Sequence, residues 1–423
     1  MDSAADVSKS GRIPPMMVII VGAMAAFGPL CIDMYLPALP DISDDLHSSA
    51  SLVQASLTAC LIGIGLGQVV IGPISDRLGR RRPVFFGLAL FVLASLACAI
   101  APGILALILL RFLQGFGGAA GIVIARAIVR DQYTGSAAAR FFSLLMLVTG
   151  AGPVLAPQIG AGLLTLGSWR TVFVALSIAG SLLVLFAAWR LPETLPPALR
   201  STGGLGATLR TMRHVATRRI FLASALACGL GFGAIFAYIS ASSFVLENVY
   251  GMSPQVFSLV FALNAVGLIS ASQINGRLVH RVGPTRLMTF GLLGLAAASL
   301  ALCLLVIAGA GLAGILPCMF LVLSANGFVQ PNAFALAMND FPEAAGSASA
   351  LLGVLQFSIG AAVAPLVGLG GSHDVRPMAY VMAGLGVSAA VVRLAMLPRR
   401  DAPAAPAAEL EPAASCVAGA AGG

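Results

Sequence analysis

The stretch MMVIIVGAMAAFGPLCIDMYLPALP, residues 16–40, carries no charge from Met16 to Ile32 and then presents a carboxylate, Asp33. No other charged residue follows until Asp41. A membrane helix needs about 20 mostly apolar residues, and this run has that length. An ionised carboxylate in hydrocarbon is costly, so Asp33 must be protonated, paired or turned toward water. Two readings follow: a proton-binding group, or a wetted residue at a helix end near the outer surface. Intramembrane acids are functional by default, which favours the first.

The same pattern extends along the chain. Of 423 residues, 59% are hydrophobic and 9% charged, against about 25% charged in a soluble domain. These charges are too few to coat a water-facing surface, so lipid is the main solvent. The net charge of +8 raises nucleic acid as a partner. That is rejected, because the arginines sit in short clusters between apolar runs, the pattern of membrane topology. Six of the cysteines (Cys31, Cys60, Cys98, Cys228, Cys303 and Cys318) lie in apolar runs without CxxC or His spacing, and Cys416 lies in the tail. They read as small hydrophobes, not as disulfides or a metal site. Lys9 and Arg12 before an apolar run resemble a signal peptide, but the run is long and many follow, so it reads as an uncleaved first helix.

Apolar runs lie near 16–38, 52–74, 83–101, 103–126, 141–164, 170–189, 220–245, 255–276, 286–308, 311–335, 345–368 and 377–397. The fold class expected is all-α integral membrane, with twelve transmembrane helices in two pseudo-symmetric six-helix bundles. With the N-terminus cytoplasmic, almost every loop arginine falls inside, and only Arg170 and Arg376 fall outside. Both termini are therefore expected in the cytoplasm. The expected organisation is a cytoplasmic N-tail over 1–14, a six-helix bundle over 15–190, a cytoplasmic linker over 191–218, a second bundle over 219–398 and a disordered tail over 399–423. Gly72-Pro-Ile-Ser-Asp76-Arg77-Leu-Gly79 recurs as Gly276-Arg-Leu-Val-His280-Arg281-Val-Gly283, and Gly63 and Gly267 keep the same offset. A repeat at the equivalent loop of each half points to duplication. Parallel repeats with a central site are a transporter architecture.

At these residues the chain resembles the major facilitator superfamily. Gly72-x-x-x-Asp76-Arg77-x-Gly79-Arg80-Arg81 resembles its signature between helices 2 and 3. Leu110-Arg111-Phe-Leu-Gln114-Gly115-Phe-Gly117-Gly118 resembles the helix 4 motif, and Gly150-Ala-Gly152-Pro153-x-x-Ala-Pro157 the helix 5 motif of antiporters, here with a second proline. Asp33-Met-Tyr-Leu-Pro-Ala-Leu-Pro40 is similar to the helix 1 motif of the Bcr/CflA (bicyclomycin/chloramphenicol resistance-type) group of drug–proton antiporters. Tyr238, Gly251-Met252-Ser253, Pro331-Asn332 and Gly346 to Gln356 are similar to that group too.

The resemblance implies proton-coupled efflux, with roles for several residues. Asp33 and Arg111 are the proton-coupling candidates. They lie about 8 Å and about 12 Å from the outer ends of their runs at 1.5 Å per residue. Arg111 is either a coupling partner of Asp33 or a clamp on helix-end carbonyls and Gln114. Gly72, Asp76, Arg77, Gly79 and Arg80 form the implied conformational latch. Asp76 is placed to face the positive N-terminus of the eleventh helix near 345–347, and Arg80 to Arg82 to pair with acids such as Asp131. His280 replaces the acid in the second copy, so that loop is not expected to latch in the same way. Gly152, Pro153 and Pro157 would bend helix 5 against helix 8 and seal the pocket against proton leak. Tyr35, Gln114, Phe236, Tyr238, Asn264, Asn332 and Gln356 are substrate-binding candidates, because aromatic bodies with hydrogen-bonding ends suit loosely specific amphiphile binding.

Gly115-x-Gly117 and Gly229-x-Gly231 lie in apolar helices without a preceding strand, so they read as helix packing rather than dinucleotide loops. The chain has no GxxxxGK[ST] and no catalytic or metal cluster. The expected activity is multidrug or antibiotic efflux, and the chain is not expected to be an enzyme. No cofactor is expected beyond the proton gradient. The expected partners are a small drug-like molecule, protons and the lipid bilayer of a bacterial inner membrane, with no nucleic acid and the chain as a monomer. The competing readings are a same-fold carrier of a specific metabolite and a non-transporting membrane receptor or scaffold.

Overall fold

The computed structural model describes residues 15–133, 135–200, 205–338, 341 and 345–396, so the tails over 1–14 and 399–423 lie outside it. Twelve of its helices are long and apolar enough to cross a membrane. In chain order they are α1 (Pro15–Asp33), α2 (Ala50–Leu78), α3 (Arg81–Ala99), α4 (Ile104–Gln132), α5 (Gly135–Leu164), α6 (Arg170–Arg190), α7 (Arg219–Ser243), α8 (Pro254–Val282), α9 (Pro284–Ile307), α10 (Leu312–Met338), α11 (Ala345–Val367) and α12 (Arg376–Met396). No strand occurs among the described residues.

The packing repeats with a period of six helices. The pairs α1–α4, α1–α5, α2–α4, α3–α4 and α3–α6 recur as α7–α10, α7–α11, α8–α10, α9–α10 and α9–α12. Local devices repeat with them. Ser49 caps α2 by accepting from the Leu52 amide at 3.4 Å, and Ser253 caps α8 from the Val256 amide at 3.3 Å. Gly79 and Gly283 end the same two helices at φ +92° and +89°, a conformation that glycine adopts without a Cβ penalty.

The halves meet along two seams, α2 on α11 and α5 on α8. Hydrogen bonds among the described residues bridge them. Gln54 Nε2 donates to the Ser240 carbonyl at 3.0 Å and Ser51 Oγ to that of Pro365 at 3.2 Å. Thr58 Oγ1 donates to the Ala361 carbonyl at 2.9 Å and Ser258 Oγ to that of Pro157 at 3.0 Å. All four lie toward the end away from the basic loops, the outer end in the expected orientation, and hold it shut.

The helices differ from the sequence reading in several places, and most inner ends run longer, as α4 does to Gln132 and α8 to Val282. The first run is not helical to residue 38. It stops at Asp33, then forms a 3-10 turn, Leu36–Ala38, and a short helix, Leu39–Asp45. Pro37 and Pro40 explain the break: each lacks an amide hydrogen and restricts the residue before it. The fifth helix begins at Gly135 rather than 141. The linker holds a helix, Leu205–Ala216, which buries Met212 and Val215 and exposes Arg210, Arg213 and His214. The glycines of α4 serve close packing: a methyl on Gly115 would strike the Cys60 carbonyl, and one on Gly117 would lie 2.6 Å from that of Gly87.

Candidate functional site

The first polar cluster sits where α1 ends. Arg111, on α4, is fully buried. Its Nη1 donates to the Cys31 carbonyl at 2.8 Å and to Gln114 Oε1 at 2.5 Å. Gln114 Nε2 donates to Ser95 Oγ at 2.8 Å, and Ser95 Oγ to the Phe91 carbonyl at 2.7 Å. The guanidinium lies 4.5 Å from the centroid of the Tyr35 ring and 5.8 Å from that of Phe173, a cation–π arrangement. Ser56 gives its proton to the Val53 carbonyl at 2.6 Å, so the 2.9 Å contact with Tyr35 is a bond donated by the tyrosine. Arg111 thus joins α1, α3 and α4 as a brace. Its Nε and Nη2 are buried without a partner.

Asp33 is 5% exposed and makes no hydrogen bond or ion pair among the described residues. It stands at the last helical position of α1, beneath the Leu36–Asp45 segment. Pro29, one turn back on the same face, packs on α5: a methyl on Gly152 would lie 3.2 Å from it. Gly160 of α5 fits against the Met34 carbonyl. The helix bearing Pro153 and Pro157 therefore runs along the Asp33 end of α1 on one side. On the other it meets α8, through Pro157 and Ser258.

A second cluster lies at the basic end. Arg80 is 2% exposed. Its Nε and Nη2 meet Asp131 at 2.7 and 3.2 Å, and its Nη1 meets Asp76 Oδ1 at 2.5 Å and Ser75 Oγ at 2.9 Å. Burial alone would lower the pKa of Arg80, but Asp131 and Asp76 outweigh it and hold the guanidinium charged. Asp76 therefore pairs within its own half. The side chains at 345–347, which the sequence reading set opposite it, lie outside the described residues. Arg77 is exposed, and Gly72 lies against Val123.

The sequence reading missed Glu193, although an acid just after a helix end and between prolines was the available signal. Its carboxylate accepts from the amides of Arg80 at 2.8 Å, Arg81 at 3.2 Å and Leu195 at 3.1 Å. It thereby fills the N-terminus of α3, where negative charge is favoured. Burial pushes its pKa up, but these amides and Arg200 outweigh that and hold it below the ordinary glutamate value.

The C-terminal half holds further polar pairs. Asn264 Nδ2 donates to Tyr238 OH at 2.7 Å, Asn332 Nδ2 to Asn275 Oδ1 at 2.6 Å, and Gln356 Nε2 to Gln330 Oε1 at 3.1 Å. Of the substrate-binding candidates, Tyr35, Gln114, Phe236, Tyr238, Asn264 and Asn332 are buried, and Gln356 is half-buried. In this conformation Tyr35, Gln114, Tyr238, Asn264 and Asn332 hydrogen-bond to side chains of neighbouring helices. Gln330 and Arg126 were not singled out by sequence.

This geometry can be compared with known proteins. A family model described as Major Facilitator Superfamily matches residues 16–365. The chain belongs to the major facilitator superfamily. A relative named an uncharacterized MFS-type transporter, YdgK of Bacillus subtilis, is 43% identical over 375 residues, spanning 88% of this chain and 93% of the relative. The chloramphenicol resistance protein of Pseudomonas aeruginosa is 30% identical over 364 residues, 83% of this chain and 84% of that one. In structure the chain is similar to the xylose transporter XylE from E. coli, with a TM-score of 0.70 at 14% identity, covering 90% of this chain and 97% of that one. The expected fold and family are therefore correct. This is a multi-pass membrane transporter of the bicyclomycin/chloramphenicol-resistance branch of the superfamily, not an enzyme.

Proposed function

We propose that this transporter exports small amphiphilic, drug-like compounds in exchange for protons, by alternating access. It works as a monomer in a bacterial inner membrane, with both termini cytoplasmic. The observation that carries the reading is Asp33, a buried carboxylate at the end of α1 without a partner among the described residues. A buried charge with no partner is costly, so its protonation state must follow the access of water. Arg111 has two unpartnered donors, and Asp33 makes no hydrogen bond or ion pair among the described residues, which makes them complementary. In the opposite, outward-open conformation water from that side loads a proton onto Asp33, and closing the outer end buries the neutral acid. When water then enters from the basic end and the end of α1 shifts toward Arg111, the guanidinium favours the carboxylate and the proton leaves inward.

Latch and seal alternate in this cycle. The outer hydrogen bonds hold the present state. In the other, Asp76 leaves Arg80 for the N-terminus of α11, and Gly72, Arg77 and Gly79 form the loop that allows it. The inward proton force is about 2.3 kcal/mol per 100 mV plus about 1.4 kcal/mol per pH unit, enough for a modest drug gradient at one proton per cycle. The bicyclomycin- and chloramphenicol-resistance names of relatives support a drug as cargo.

The test is uptake into inside-out vesicles energised by respiration. Wild type is expected to accumulate chloramphenicol and lose it on addition of a protonophore. Asp33→Asn, folded and inserted, is expected to do neither. Undiminished proton-driven uptake by that variant would remove Asp33 from the mechanism.

A further inference from the structure

Arg126 lies on α4 six residues inside the helix end at Gln132, about 9 Å at 1.5 Å per residue. It is exposed, and among the described residues it has no hydrogen bond or ion pair. The neighbours of α4 fix the direction in which it points. Gly117 and Ala120 face Gly87 of α3, Ile122 packs on Gly28 of α1, and Val123 lies 3.7 Å from a methyl placed on Gly72 of α2. Arg126 is one turn beyond Ile122 and Val123 and shares their side. It therefore points between α1 and α2, away from α3. Along this side Ala119 is buried, Ile122 and Val123 are half-buried, and Arg126 and Arg130 are exposed. Exposure along this side therefore grows toward the basic end, away from the end that the hydrogen bonds between the halves hold shut.

The internal repeat identifies what stands at the matching place in the other half. Gly67 of α2 meets Ala119 as Ala271 of α8 meets Gly327, and Gly87 of α3 meets Gly117 as Gly291 of α9 meets Ala325. The same step carries Arg126 onto Phe334 of α10, which is 43% exposed. The described acids of the basic end are engaged: Asp76 and Asp131 by Arg80, and Glu193 by backbone amides. Among the described residues, this side of the basic end thus presents a guanidinium without an acidic partner, and the matching side of the other half an open aromatic face.

We infer that Arg126 and Phe334 select the cargo, favouring amphiphiles with an anionic or strongly hydrogen-bond-accepting head and an apolar body over lipophilic cations. A guanidinium offers a planar fork of donors for such a head, and a low-dielectric cleft lined by one sign of charge concentrates the opposite one. The inference deepens the efflux reading and rests on it.

Two measurements on purified and vesicle-reconstituted protein test it, with fluorescein as anionic probe and ethidium as cationic probe. In equilibrium dialysis, wild type is expected to bind fluorescein more tightly than ethidium. Arg126→Gln is expected to weaken fluorescein by about tenfold, the loss of a charged hydrogen bond, and to leave ethidium unchanged or tighter. Arg126→Lys is expected to recover part of the loss, and Phe334→Ala to weaken both probes. Uptake into inside-out vesicles should show the same order through KM, with kcat little changed. Equal effects of Arg126→Gln on both probes, or none, would overturn the inference and leave Arg126 as an anchor for lipid headgroups. Loss of fluorescein binding without any change in its uptake would also overturn it, because the seat would then hold a resident anionic lipid. Dialysis alone reports the site, so a failure of proton-driven uptake with binding intact falls on the efflux reading instead.

Discussion

Arg111 Nη1 donates to the backbone carbonyl of Cys31 at 2.8 Å, two residues before Asp33. A charge on α4 therefore holds the final turn of α1 by its backbone, while the acid beside it has no partner among the described residues. In this conformation Arg111 braces a backbone carbonyl, and the coupling to Asp33 proposed above needs the end of α1 to move.

Arg111→Ala is expected to lower stability by about 2–4 kcal/mol, from a lost charged hydrogen bond, a lost cation–π contact and a stranded Gln114. Arg111→Lys keeps the charge and loses the planar fork, and is expected to fall between the two. Thermal unfolding in detergent checks the order. A lysine variant as stable as wild type would show that charge, not geometry, holds the end of α1.

Gly115→Ala would drive a methyl into the Cys60 carbonyl, which is backbone and cannot turn aside. Overpacking of this kind is expected to destabilise by about 1–3 kcal/mol. Gly162→Ala on α5 meets nothing within 4 Å and is expected to be neutral or stabilising by up to about 1 kcal/mol. The contrast in melting temperature checks that the α2–α4 contact is the tighter of the two.

Gln54→Ala removes the hydrogen bond to Ser240 across the outer seam. A bond worth about 1 kcal/mol shifts a two-state equilibrium about fivefold, here away from the closed outer end. Distances between spin labels placed across the outer ends of α2 and α7 should show a larger open population. An unchanged distribution would mean that packing alone closes this end.

Glu193→Gln tests the tie between the linker and α3. The folded-state pKa of Glu193 lies below its ordinary value, so its ionised form stabilises the fold. That contribution is fully present above the ordinary glutamate pKa of about 4. It is lost as pH falls through the depressed folded value. The variant is therefore expected to be less stable than wild type at neutral pH and to converge with it on acidification. Paired unfolding curves across that range check the sign.

Much of the fold was legible because lipid imposes a simple rule. A spanning helix must be about 20 residues long and apolar on the side lipid touches, so twelve spans could be read from composition. Positive clusters marked one face of the bundle. Gly79 with Gly283 and Gly63 with Gly267 carried the duplication, because a left-handed turn and a close helix contact each demand glycine. Asp33 was legible for the same reason: an isolated acid in hydrocarbon is too costly to be incidental.

Other features were not legible, because they depend on how each helix is rotated and on what lies across from it. Tyr238 and Asn264 are pocket candidates by residue type, and their hydrogen bond to each other within one half was visible only in the fold. Glu193 caps a helix that begins 112 positions earlier in the chain, a partnership that no local spacing encodes. Arg126 read as the edge of an apolar run, and only the contacts of Ile122 and Val123 fix where it points.

By itself the sequence determined that this protein crosses the membrane twelve times in two related halves and keeps one acid in its first span, because hydrophobic length and charge placement act locally. Which end is closed, whether Arg111 faces an acid or a carbonyl, and which arginine lines the opening were decided only by tertiary structure. Those questions turn on distances between segments far apart in the chain, and helix–helix packing sets them.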